Sequence, residues 1–222
     1  LRFYAKGNIR LDDVPAPTCA PDEVRLKVAF CGTCGTDLHD FLRGPIFPPQ
    51  HGERNPHTGA SLPVIMGHEI YGTVVEVGKD VSGVSIGQRV AVNPAMDDRH
   101  HGKPQCKACL SGYHNICTGS TFCGLNATGG GFSDEITVKP LALVPSPDNV
   151  PLKLAGLAEP QAVAAHMIRI SGFRKGDSAV VLGAGPIGCA LTFLLKHKSA
   201  SKILVSEIAA PRVKQAASFG AD

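Results

Sequence analysis

The chain has 222 residues and a formal net charge of +3, room for one large or two modest domains. Hydrophobic residues make up 43% and charged residues 18%, and no basic run points to nucleic acid or to a membrane surface. No apolar stretch approaches the ~18–20 residues that span a bilayer. No secretory leader is visible, so the eight cysteines read as metal ligands in a reducing, cytoplasmic compartment rather than as disulfides.

In chain order, "LRFY" and "IRLDDV" flank "AKGN" and predict a hairpin. "EVRLKVAF" alternates, which predicts a strand with Val24, Leu26, Val28 and Phe30 on one face. "EIYGTVVEVGKDVSGVSIGQRVAV" predicts two more strands split by glycine turns, and "FSDEITV" another. Residues 41–62 and 94–131 are dense in Pro, Gly, His and Asn, and loops of that length are usually functional or tied by metal. After "SPDNVPL" the character changes, placing a domain boundary near residue 155. "LAEPQAVAAHMIRIS" predicts a helix. "SAVVLGAGPIGCALTFLLKHK" predicts a strand, a glycine turn and a helix. "KILVSEI" predicts a second strand, and "APRVKQAASFGAD" a second helix stopped by Gly220. Strand–helix–strand–helix at this spacing implies parallel pairing.

Three groups of residues carry chemistry. In "GAGPIG", Gly183 permits a tight strand-to-helix turn, Gly185 lets backbone approach a pyrophosphate, and Gly188 lets helix and strand pack closely. Glu207, about twenty residues on, stands where an acid binds a ribose 2′-hydroxyl. That acid would repel a 2′-phosphate, so NAD is expected over NADP. "CKACLSGYHNIC" places Cys106, Cys109 and Cys117 as three thiolates suited to a structural zinc, which takes four ligands. Lys103 occupies the place of a fourth cysteine, and Asp97, Asp98, His100 or His101 could complete the sphere. "GHE" at 67–69 sets an imidazole beside a carboxylate and gains weight beside Cys34 and Glu159. A catalytic zinc takes about three protein ligands and keeps one position open. A redox role for the pair Cys31–Cys34 would need a thioredoxin-like βαβ unit, and "GTDLH" follows instead, which argues against it.

"CGTCGTDLH", "PVIMGHE", the C-x-x-C…C series, "LAEP" and "VVLGAGPIG", in that order, resemble the zinc-dependent medium-chain alcohol dehydrogenases. The likeness is to their polyol branch, which includes sorbitol dehydrogenases. The insertion "GPIFPPQHGERNPHTGASLPVIMGHE" is most similar to that of 2,3-butanediol dehydrogenases. The resemblance implies an α/β plus β fold. Residues 1–155 would form a GroES-like β-barrel catalytic domain, and 156–222 the first part of a Rossmann domain with a doubly wound parallel sheet. Carried over residue by residue, it implies Cys34 and His68 as ligands of a catalytic Zn2+. Glu69 and Glu159 would serve as ligand or water-linked partner. Thr36 and His39 match proton-relay positions, and Asp37 an acid that orients a ligand histidine. Cys31 is then a packing neighbour. Gly183, Gly185, Pro186, Ile187, Gly188 and Glu207 would bind NAD.

The function so implied is hydride transfer between NAD and a small secondary alcohol or polyol, butanediol-like, in a protein that forms homo-oligomers at full length. The chain opens on Leu1 and stops at "FGAD", before a third strand, so it is expected to be a piece of a longer product. The alternative is a truncated, inactive zinc-binding remnant.

Overall fold

Gly7, at φ +69°, turns β1 (Arg2–Ala5) back onto β2 (Asn8–Arg10), the expected hairpin. The computed structural model describes the backbone of residues 1–222 and the side chains of all but 152 and 153. It divides into two units, Leu1–Gly156 and Leu157–Asp222.

In the first unit, β3 (Val24–Gly32) runs into helix α1 (Gly35–Arg43). After the short β4 (Val64–Ile65) come β5 (Glu69–Val77) and β6 (Arg89–Val92). The lobe that follows holds β7 (Ala95–Met96), a single helical turn α2 (Lys107–Leu110) and β8 (Thr121–Phe122). It is succeeded by β9 (Glu135–Val138), β10 (Leu143–Pro145) and α3 (Leu152–Ala155). One sheet orders as β2-β1-β4, and the main antiparallel sheet as β10-β6-β5-β3-β9. Val24, Leu26, Ile70, Val74, Val90, Val92 and Ile136 pack together as its core. Each such side chain contributes about 1.5–3 kcal/mol on burial.

The alternation in β3 does not survive to its end. The register with β5 slips between Arg25 and Leu26 and again between Val28 and Phe30. An extra residue reverses which side chains face inward. Phe30 is therefore 40% exposed rather than sharing the face of Val24 and Leu26, and Cys31 packs on the core instead. Past the slip, Gly32 lies directly opposite Glu69. The end of β3 and the start of β5 thus face one another.

Residues 94–131 are less irregular than their composition suggests, because β7 pairs antiparallel with β8 at the neck of the lobe. In the second unit α4 (Ala158–Ile170) precedes β11 (Ser178–Leu182), α5 (Pro186–His197), β12 (Lys202–Ser206) and α6 (Ala210–Ser218). β11 and β12 pair in parallel from Ser178↔Lys202 to Leu182↔Ser206. Ile168, Val181, Leu195 and Ile203 form the core here. Gly220, at φ +106°, stops α6. Its N–H donates to Ala217 O and that of Ala221 to Ala216 O, the paired bonds of a Schellman cap. Among the described residues no helix is long and apolar enough to cross a membrane.

Candidate active site

The end of β3 and the start of β5 bring Cys34, His68 and Glu69 together, with one donor atom from each within 4.8 Å of the others. Cys34 is the N-cap of α1, and its backbone N–H donates to Asp37 Oδ2 at 2.9 Å. Glu69 can reach the thiol only because its cross-strand partner is glycine. A Cβ on Gly32 would lie 1.9 Å from Glu69 Oε2. Gly67, at φ +91°, provides the left-handed turn before His68. A Cβ there would meet Cys31 Sγ at 2.8 Å and Phe132 at 2.6 Å. Cys31 thus packs beneath the turn, where burial pushes its thiol up to about 12.

Both His68 and Asp37 are buried. Asp37 Oδ1 stands 3.7 Å from His68 Nδ1, an ion-pair separation longer than a hydrogen bond. A hydrogen bond with His68 draws the Cys34 thiol below its ordinary pKa against the opposing effect of burial. Burial raises the Glu69 carboxyl, and His68 and Cys34 partly offset it. Burial also raises Asp37. A thiol, an imidazole and a carboxyl converging at buried and half-buried positions form a donor set that suits zinc.

Thr36 Oγ1 lies 3.7 Å from Cys34 Sγ. Thr36 and His39 are three residues apart on α1 and so share a face, with His39 exposed. Glu159 lies in the first turn of α4, in the second unit.

A second group gathers Asp98, Cys106, Cys109 and Cys117 within 4.8 Å. Cys106 and Cys117 have their sulfurs 3.8 Å apart. The backbone N–H of Cys106 donates to Asp98 Oδ2 at 2.7 Å and holds that carboxyl down at about 2. Backbone N–H groups of Cys109 and Thr118 lower Cys106 to about 7, whereas burial and the neighbouring thiols raise Cys109 to about 12. Asp97, Cys109 and His114 form an overlapping group. His114 belongs to no recognisable spacing and was invisible to sequence reasoning.

In the second unit, Gly183 adopts φ +93° and Gly185 caps α5, with Pro186 and Ile187 opening the helix. A Cβ on Gly188 would lie 2.0 Å from Gly183 O, so the third glycine is dictated by helix–strand packing. Glu207 follows β12 and is tied to the turn itself. Its Oε2 accepts from Ala184 N at 2.9 Å, and its Oε1 from Ile208 and Ala209 N at 2.8 and 2.9 Å. These bonds lower its pKa. A carboxylate offers about four lone-pair sites, so acceptor capacity remains for a hydroxyl. Arg212, which the motif does not mention, stands 3.9 Å from Glu207 Oε2.

The alcohol dehydrogenase GroES-like domain matches residues 20–148. The (R,R)-butanediol dehydrogenases of Saccharomyces cerevisiae and Neisseria gonorrhoeae are 43% and 44% identical to the chain, covering 100% and 99% of it and 61% and 60% of themselves. The crystal structure of 2R,3R-butanediol dehydrogenase from Bacillus subtilis aligns with a TM-score of 0.90 at 37% identity, over 99% of this chain and 60% of that one. The chain therefore spans about three fifths of the length of these relatives.

Proposed function

The chain belongs to the alcohol dehydrogenase family with a GroES-like domain, and on that premise we propose that the whole protein is a zinc- and NAD-dependent dehydrogenase of small secondary alcohols, with a butanediol-like diol as substrate. The observation that carries this reading is the convergence of Cys34, His68 and Glu69, with Asp37 behind the imidazole. The butanediol dehydrogenases it resembles support the substrate class.

Cys34, His68 and Glu69 would hold the catalytic zinc. The ion would supply a Lewis acid for the alcohol oxygen, and NAD an acceptor for the hydride of the carbinol carbon. The remaining work belongs to the chain. Asp37 keeps the His68 ring in register and fixes its tautomer. Thr36 would take the hydroxyl proton as it gives up its own, which would pass by way of the cofactor ribose to His39, one turn along the same helix and exposed, and from there to solvent. Gly183, Gly185 and the N-terminus of α5 cradle the pyrophosphate. Glu207 accepts from the adenosine ribose and repels a 2′-phosphate, which selects NAD. Cys106, Cys109 and Cys117 would hold a second, structural zinc.

The test is steady-state reduction of NAD and NADP by the complete gene product with 2,3-butanediol and with ethanol. The reading predicts NADH formation with the diol, faster than NADPH formation by about tenfold or more, a difference of about 1.4 kcal/mol in transition-state stabilisation. No reduction of either cofactor, or a preference for NADP, would contradict it.

A further inference from the structure

We infer that Asp98 is the fourth ligand of the zinc held by Cys106, Cys109 and Cys117, making the lobe a three-sulfur, one-oxygen centre. The inference rests on the structural-zinc reading of the lobe and is independent of the dehydrogenase chemistry.

Between Gly102 and Ile116 the lobe buries few apolar side chains. Leu110, Tyr113 and Ile116 are 75%, 61% and 63% exposed, while Cys109, Cys117 and Asp98 point inward and are buried. A structural zinc takes four ligands, and three thiolates are already gathered. Of the four residues that the spacing leaves open, Asp97 and His101 are engaged elsewhere, while the buried Nε2 of His100 has no hydrogen-bond partner among the described residues and does not join the thiols. Asp97 is bound by Arg99 through both carboxylate oxygens at 2.6–3.1 Å. His100 Nδ1 accepts from Asp97 N at 3.0 Å, and no donor atom of His100 joins the thiols. His101 Nε2 lies 3.1 Å from Gly119 O and 3.2 Å from Thr121 Oγ1. Of these four, Asp98 alone places a carboxylate oxygen within 4.8 Å of all three sulfurs.

The chain explains the exchange of residue. Lys103 stands where a regular C-x-x-C-x-x-C series would supply a thiol. Its Nζ lies 2.9 Å from His57 Nδ1, and its backbone N–H donates to Asp98 O at 2.9 Å. The turn closed by that bond presents the Asp98 side chain in place of the missing sulfur. The overlapping group of Asp97, Cys109 and His114 shares Cys109, offers one thiolate, and would require Asp97 to leave Arg99. It is the poorer home for zinc.

The experiment uses the complete gene product in a Cys34→Ser background, so that metal analysis reports the lobe. Asp98→Asn keeps an oxygen able to accept from Cys106 N but removes the anionic ligand. Asp98→Cys supplies a fourth sulfur. We expect X-ray absorption on the Asp98 parent to show three sulfurs at about 2.3 Å and one oxygen at about 2.0–2.2 Å. Asp98→Cys should read as four sulfurs. Asp98→Asn should lose zinc to a chromogenic chelator about tenfold faster or more, a conservative figure set by what supporting residues alone contribute. Unchanged release from Asp98→Asn, or an unchanged sulfur count in Asp98→Cys, would overturn the assignment. Zinc release is read by metal analysis and not by turnover, so the result stands apart from the dehydrogenase reading.

Discussion

Cys34, His68 and Glu69 hang from two nine-residue strands whose inward side chains make the main core. Asp98, Cys106, Cys109 and Cys117 hang from a lobe whose described regular structure between β7 and β8 is a helical turn and a short 3-10 segment. The first cluster is arranged by hydrophobic burial and cross-strand register, before any metal arrives. The second is arranged by its own polar bonds, such as Cys106 N–H to Asp98 Oδ2, and not by a sheet core. On the proposed reading, a zinc at the first cluster would be free to do chemistry, and binding of an ion at the second would itself contribute folding free energy.

That contrast can be broken at several points. Stripping zinc with a chelator should speed amide exchange across residues 97–117 by roughly 10³-fold, because metal binding supplies the local stability. Exchange across 24–28 and 70–76 should stay as it was, and equal acceleration in both regions would erase the distinction. Gly32→Ala should cost about 10² in kcat/KM, since displacing a ligand by about 1 Å is enough for such a loss. The new Cβ would collide with Glu69 Oε2 at the very place the strands set it, and kinetics with a circular dichroism control reads the effect. Asp37→Asn should weaken zinc affinity at the first cluster by about tenfold or more, measured by competition with a chelator, and leave the lobe's zinc untouched. Arg25 ties β3 to both neighbours, through Glu76 on β5 and Glu135 on β9, each at 2.6 Å. These pairs are partly exposed, so Arg25→Ala should lower the urea midpoint only slightly and cost no zinc.

The same contrast governs what sequence alone reveals. Alternation in "EVRLKV" and the strand–glycine–helix order of "VVLGAGPIGCAL" are local patterns, and the structure displays both as elements. Gly220 at the end of α6 is equally local. The slip after Val28 was not legible, because a bulge is decided by the partner strand, and it turned Phe30 outward. Nor was the need for glycine at 32, which arises from a residue on another strand. In the lobe, spacing located three thiols but could not choose among Asp97, Asp98, His100 and His101. Side chains on irregular backbone follow no period, and only the bonds of Arg99, Gly119 and Lys103 separate them. Glu207 was legible as an acid at the right distance, but its three bonds to turn and loop backbone were not.

The most direct test crosses the two clusters in the complete protein. Zinc per chain, turnover of 2,3-butanediol and limited proteolysis of residues 97–120 would be recorded side by side for Cys34→Ser and Cys106→Ser. Cys34→Ser should lose one zinc and about 10³-fold or more in turnover, the several kcal/mol that metal polarisation supplies, while its lobe stays protease-resistant. Cys106→Ser should lose the other zinc and open the lobe to cleavage. A Cys34→Ser protein that keeps its turnover, or one whose lobe loosens as readily as that of Cys106→Ser, would contradict this division between the clusters.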